Sequence, residues 1–548
     1  MKRFGVCAAA IASLAVASCG GGEDRGAGST GPKVGGASGT ELAEVQVLRL
    51  GNGGEVETID PQRIQSVQAS HVARDLFEGL ISEAPNGDLE PGAAESWTVG
   101  EDGKTYRFAL RRNAKWSNGD PLTAKDFVYG LRRGVDPATL SVYGFILSPI
   151  VNADDITAGR KPPSELGVRA IDDYTLEIQL ANSTPYFLGL LAHATAYPAH
   201  QATVEKYGDQ FTRPGNLVGN GAYMLADWVV QSHIKLVRNP NYWDNAKSKI
   251  DEVWYYAIED SNSELQRYRA SEIDYTYTIP NAQLAWIREN LPDELVLAPY
   301  LGSYYYGFNL IRPPFQNNLK LRRALALAVN RDVIAGQVLT GGQTPAYGWV
   351  PPLAHYTQQP MPEAAWTQAE REAEAKKLYA EAGYSAANPL RTEIMYNTLE
   401  DHRRVAVAIA SMWKQVLGVE ATLRNLEWKV FVDARNQKTE TQVYRHGWIG
   451  DYNDAFTFAE LLRSTNASND TSYNNPEYDR LVAASQSELD LEKRAKLLEE
   501  AERVLLADMP ILPLYFYVTQ HMKKPWMGGW EPNILDHHAT KDLYVLKH

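Results

Sequence analysis

His537-His538 sets two imidazoles side by side, a pairing able to ligate a transition metal. Adjacent residues in a polar C-terminal stretch read instead as solvated side chains, and no metal is assigned. Asp154-Asp155 and Asp172-Asp173 are carboxylate pairs of the kind that share acid and base work. Each sits among turn-forming residues, and catalytic carboxylates need closeness in space, which spacing along the chain does not supply. Asn52-Gly53-Gly54 has the glycines of a phosphate loop without the lysine that follows in one, so it reads as a turn. Gly-x-Ser-x-Gly, a full phosphate loop Gly-x-x-x-x-Gly-Lys-Ser/Thr and His-Glu-x-x-His are absent. With no nucleophile, phosphate or zinc-protease chemistry visible, the expectation is a binding protein without cofactor, not an enzyme.

The aromatic residues point the same way. There are 30 Tyr and 13 Trp against 13 Phe. Tyr and Trp join a flat apolar body to a polar handle, which suits contact with varied ligands. They are densest at Tyr304-Tyr305-Tyr306 and in Trp448-Ile449-Gly450-Asp451-Tyr452. The triplet also reads as a strand with aromatic faces, and the second stretch as a surface loop.

The N-terminus specifies export. Lys2 and Arg3 precede an apolar run from Val6 to Ala17, which ends in Val16-Ala17-Ser18-Cys19. A basic head, a short apolar body and small residues at the cut make a secretory signal over residues 1–18, too short to stay as a membrane span. The ending resembles the bacterial lipobox, so Cys19 is the expected lipidation site. Residues 20–40 hold nine Gly with Ser, Thr and Pro, and 19–40 reads as a flexible tether reaching roughly 25–30 Å. Cys7 leaves with the signal, so the mature chain has no disulfide and must rely on a large core. The net charge of −13 becomes −15 once Lys2 and Arg3 are gone, which argues against nucleic acid as a partner.

The elements behind these residues mix strand and helix. Thr105–Leu110 and Tyr174–Leu180 alternate as half-buried strands do. Thr123 with Asp126, and Thr367 with Glu370, are capping boxes that open helices; Gly383 closes the second. Leu491, Ala495, Leu498, Ala501 and Leu505 fall on one helical face that Pro510 ends. Strands alternating with helices over more than 500 residues predict α/β architecture in several lobes, with a ligand between them.

From about residue 45 onward the chain resembles the oligopeptide-binding members of the extracytoplasmic solute-binding proteins, peptide/nickel family 5. The matching words are Thr58-Ile59-Asp60-Pro61, Arg74-Asp75-Leu76-Phe77-Glu78-Gly79-Leu80, Asp126-Phe127-Val128-Tyr129, Asn220-Gly221-Ala222-Tyr223, Tyr304-Tyr305-Tyr306, Pro345-Ala346-Tyr347-Gly348 and Gly447-Trp448-x-x-Asp451-Tyr452-Asn453, in that order. The resemblance implies a three-domain periplasmic-binding-protein fold, two lobes closing on ligand plus an extra domain. Domain I would comprise 41–77, 201–301 and 519–548, domain II 78–200 and domain III 302–518. It implies capture of short peptides and their delivery to the membrane permease of an ABC importer by a monomeric lipoprotein anchored in the cell envelope.

The same resemblance implies the site. An extended peptide pairs main chain to main chain with Gly447-Trp448-Ile449 on one side and Gln65-Ser66-Val67 on the other, as an added strand does. Trp428 and Trp448 line side-chain pockets, with Tyr305 nearby. Asp451 holds the peptide amine. Arg445, His402 and Arg435 meet carboxylates of peptides of different length. Leu339 stands where the family has a further Lys, and Gln65 and Gly307 stand where it has acids, so Lys-containing peptides should be less favoured. Gly302 and Ile449 occupy positions of a family disulfide. A murein-peptide or dipeptide receptor would look nearly the same. A cell-surface peptidase, for which no assembled site is visible, and an adhesion or chaperone lipoprotein complete the alternatives.

Overall fold

Ser66 ends an extended segment and caps the helix Val67–Leu76, its Oγ accepting from the Ala69 N–H at 3.1 Å. The buried face of that helix, Ala69, Val72, Ala73 and Leu76, packs on a four-stranded sheet. In that sheet Val47–Gly51 runs parallel to Glu252–Tyr256, followed by antiparallel His233–Arg238 and Tyr223–Val229. The computed structural model describes residues 39–353 and 356–548; the signal, Cys19 and nearly all of the tether lie outside the described residues.

A second sheet is wholly antiparallel, in the order Ala94–Val99, Thr105–Leu110, Thr175–Gln179, Val168–Asp172. Tyr106, Phe108 and Leu110 point into its core, as their alternation requires. The Thr123 N–H donates to Asp126 at 2.7 Å and opens the helix Ala124–Val135, whose Phe127, Leu131 and Val135 join the same core. Thr367 and Glu370 likewise exchange bonds at the start of Gln368–Glu381, and Gly383 follows with φ +92°. The helix Leu491–Asp508 ends at Met509 in the left-handed region, one residue before Pro510.

The third sheet has six strands: Thr344–Pro345, Ile511–Met522, Leu295–Phe308, Val443–Ile449, Arg391–Asn397 and Glu420–Leu426. The first four pair antiparallel, the last two parallel. Tyr304, Tyr305 and Tyr306 are buried on both faces because Leu295–Phe308 is central. The ladder between Leu295–Phe308 and Ile511–Met522 is long. One end, at Met522, borders a core with Leu265, Tyr268 and Ile287; the other, at Leu512 and Leu514, lies in a core with Tyr304 and Tyr306.

Buried acids tie these parts together. Asp75 accepts from the Tyr255 hydroxyl and the Thr540 N–H, both at 2.9 Å, and Glu78 from Tyr242 and Trp243. The C-terminal stretch is packed, which corrects its reading as solvated. His537 Nδ1 is 2.6 Å from Glu83, and His538 Nε2 is 2.9 Å from Asp536, which also binds His521. The sequence could not show this, since Glu83 and His521 come from distant chain segments. The mixed α/β architecture matches the expected class. Among the described residues no helix is long and apolar enough to cross a membrane.

Candidate functional site

The hydrogen-bond phase of one ladder exposes a strand edge. The Gly450 N–H donates to the Leu301 carbonyl at 2.7 Å, and the Asn309 N–H to that of Gln442 at 3.0 Å. Between these bonds Val443–Ile449 pairs residue by residue with 302–308. Antiparallel pairs alternate between bonded and non-bonded, so the main-chain groups of Gly447 and Ile449 point away from that partner. On their side Arg391–Asn397 pairs only with Val443 and Tyr444. Beyond Tyr444 the edge has no neighbouring strand among the described residues. The Gly447 N–H meets the ring Nδ1 of His446 at 2.7 Å. Gly302 and Ile449 face each other in a non-bonded pair, with Ile449 Cδ1 2.5 Å from where a Cβ on Gly302 would stand.

Asp451 lies just past the end of this edge. Its N–H donates to Thr457 Oγ1 at 3.3 Å, and its Oδ2 is buried with no partner. Oδ1 is 3.9 Å from His193 Nε2. The His193 ring stacks on Tyr143 at 5.1 Å and 22°. Burial, reinforced by Arg74, lowers His193 to about 3, so the ring is neutral. Burial raises the Asp451 carboxyl to about 7, the Thr457 contact opposing it. A buried carboxylate among neutral groups is unstable as an ion until a cation arrives. An ammonium is one cation that such a carboxylate can accept. The Trp448 indole N–H also donates to Thr457 Oγ1 at 3.3 Å, which places Trp448 and Asp451 around one hydroxyl.

A cationic region lies along the same strand. Arg445 donates to Tyr517 Oη at 2.9 Å and Asn397 Oδ1 at 3.2 Å, with its guanidinium 4.9 Å over the Tyr304 ring and Nε unpartnered. His402 Nδ1 is 3.3 Å from Tyr304 Oη. Burial and the neighbouring Arg445 hold His402 well below its ordinary value, so it offers a hydrogen bond and no charge. Arg435, on the helix Trp428–Gln437, is ion-paired with Asp470 at 2.7 Å. The same Asp470 oxygen is 3.2 Å from His446 Nε2, which leaves His446 Nδ1 to accept from Gly447.

The match to a family model spans residues 88–470, that of the bacterial extracellular solute-binding proteins, family 5 (middle region). This chain belongs to that family. It is 44% identical over 516 residues to the periplasmic oligopeptide-binding protein OppA of Salmonella typhimurium, covering 93% of this chain and 94% of that one. Haemophilus influenzae OppA in complex with the peptide RPPGFSPFR superposes with a TM-score of 0.88 at 41% identity, covering 92% of this chain and all of that one. The Escherichia coli murein tripeptide binding protein MppA gives 0.90 at 38% identity, covering 93% and 100%; an unliganded open form of MppA gives 0.70. This fold thus matches a peptide-bound relative better than an open one. Family 5 proteins are binding proteins, not enzymes.

The remaining family-derived positions fall in varied settings. Glu57 takes both N–H groups of Gln65 and Ser66, at 2.5 and 3.1 Å, and the Ser66 hydroxyl at 2.6 Å. Val67 begins a helix. A peptide bonding to the Gln65 N–H therefore has to displace Glu57. Tyr305 is buried, stacked on His446 at 5.0 Å and 7°. Trp428 is 47% exposed, with its ring 6.2 Å from Phe431. Leu339 is part of an apolar core, and the Tyr444 hydroxyl fills the space beside Gly307. Sequence reading missed His193, Tyr143, Glu57 and Asp470. Only packing brings the first two to Asp451, and no spacing signals them.

Proposed function

We propose that this chain is an extracytoplasmic receptor for short peptides, bound in extended form and delivered to the permease of an ABC importer. One observation carries the reading: a buried carboxylate at Asp451, its Oδ2 without a partner, stands beside a strand edge that has no neighbouring strand past Tyr444 among the described residues. An ammonium fits the first and a peptide main chain the second. The naming of OppA as an oligopeptide-binding protein, and a relative solved with a nine-residue peptide, support it. Domain I (41–77, 201–301, 519–548) and domain III (302–518) close on the ligand, domain II (78–200) packing beside them, and Cys19 carries the lipid that holds a monomer to the membrane. Native mass spectrometry of the purified protein tests the reading. Peptides of a few residues are expected, and loss of competition on acetylating their amines. Equal competition by acetylated peptides sinks the amine assignment.

The TM-score of 0.90 with MppA favours a second ligand class on the same fold, murein peptides. Competition between a murein tripeptide and trialanine separates the two, the general receptor favouring neither by more than roughly tenfold.

A further inference from the structure

Arg435 and Arg445 are both largely buried beside Val443–Ile449, and their charges are treated oppositely. Arg435 Nε stands 2.7 Å from Asp470 Oδ2, the two side chains 13% and 6% exposed. Arg445 gives its hydrogen bonds to the neutral oxygens of Asn397 and Tyr517 and forms no ion pair among the described residues. A guanidinium already balanced by a buried carboxylate offers an incoming anion little net attraction, and Asp470 itself repels that anion. A buried guanidinium among neutral oxygens attracts one strongly, because the low dielectric leaves its field unscreened.

We propose that Asp470 determines ligand length, by withdrawing Arg435 from the ligand and leaving Arg445 as the cation that reads the ligand's carboxylate. The inference rests on the peptide reading above. With the amine fixed at Asp451 and the main chain held along Gly447 and Ile449 at about 3.3 Å per residue, one separation between ligand termini satisfies both charges. Peptides of other lengths then bind through amine and main chain with their carboxylates in water. Through His446, whose Nε2 shares the Asp470 oxygen, the same carboxylate also fixes the ring that meets the Gly447 N–H. A pair that served only to hold the helix Trp428–Gln437 in place would alter stability and leave length preference untouched.

The test is calorimetry with di-, tri-, tetra- and pentaalanine, each as free acid and C-terminal amide. In the wild type, amidation is expected to weaken one length by roughly tenfold or more and the others by less than roughly threefold. Asp470→Asn should add a second length with a tenfold amide penalty, and Arg435→Met in that background should remove it. Equal amide sensitivity at every length in the wild type overturns the proposal, as does an unchanged length profile in folded Asp470→Asn. If Asp470→Asn fails to fold, the wild-type amide series still decides. A wild type that binds none of these peptides overturns the peptide reading as well, an outcome distinct from binding without length preference.

Discussion

Asp451 Oδ1 stands 3.9 Å from His193 Nε2, close enough to feel the ring and too far to bond it, and the ring is neutral. The carboxyl is therefore poised near 7, raised by burial. Ammonium binding requires the ionised form. Affinity for a tripeptide should fall as pH drops below about 7, approaching tenfold per pH unit, because each binding event must first release a proton. His193, lowered to about 3, adds no step in this range. Calorimetry in two buffers of different ionisation enthalpy measures the proton release; binding at pH 6 without it contradicts the assignment.

The sign for folding is the opposite. A carboxyl whose folded value lies above its ordinary 3.8 stabilises the ligand-free protein at low pH, and that contribution is lost as pH rises toward about 7. Asp451→Asn should thus weaken tripeptide binding by roughly 3–5 kcal/mol while leaving ligand-free stability at pH 8 equal or higher. Calorimetric binding and melting on the same variant check both halves. A variant that lost affinity and melting temperature together would mean Asp451 holds structure, not ligand.

What sequence could foresee follows from the range of each interaction. Thr123 with Asp126, and Thr367 with Glu370, act within one helical turn, so their spacing alone placed two helix starts. Tyr106, Phe108 and Leu110 alternate because one face of their strand is buried. Tyr304-Tyr305-Tyr306 was open to two readings because a central strand is covered on both faces and shows no alternation. Asp451 and Arg445 were reached through family words. Asp470, Glu57, His193 and Tyr143 were not, since each acts on a partner far along the chain or through packing that leaves no periodic trace.

Lys-rich ligands test the family-derived pockets. Gly307 lacks a carboxylate, and the Tyr444 hydroxyl occupies the space beside it. A screen of tripeptides is expected to show no enrichment of Lys-x-Lys over Ala-x-Ala beyond roughly threefold, because a buried ammonium there would meet no counter-charge. Strong enrichment would require an acid on that side of the ligand that neither Gln65 nor Gly307 supplies.

Arg445 has neutral partners, so its removal should act on the ligand more than on the fold. Arg445→Met is expected to lower affinity for the carboxylate-matched peptide by about 2–4 kcal/mol and to leave its amide nearly unaffected. The double-mutant cycle of acid against amide and Arg against Met isolates the coupling. Equal losses for acid and amide would place Arg445 in the scaffold.

Closure is the last expectation, and it rests on Tyr186. Its ring lies on Tyr452 at 5.3 Å and 3°, and on Phe456 at 4.9 Å and 26°. The Arg494 guanidinium sits 4.7 Å over it while bonding both oxygens of Asp454 at 2.8 Å. Tyr452 and Phe456 belong to the segment that carries Asp451, whereas Tyr186 precedes the helix Phe187–Leu191, which the proposed boundaries assign to domain II. If the proposed closure brings domain II against domain III, the stack forms only in the closed state, where its energy slows ligand escape. Tyr186→Ala should raise the peptide dissociation rate by roughly 5–30-fold, from about 1–2 kcal/mol of lost stacking, with association changed far less. Stopped-flow displacement of a fluorescent peptide reads both rates. An effect confined to association would show that the stack is already formed in the open protein.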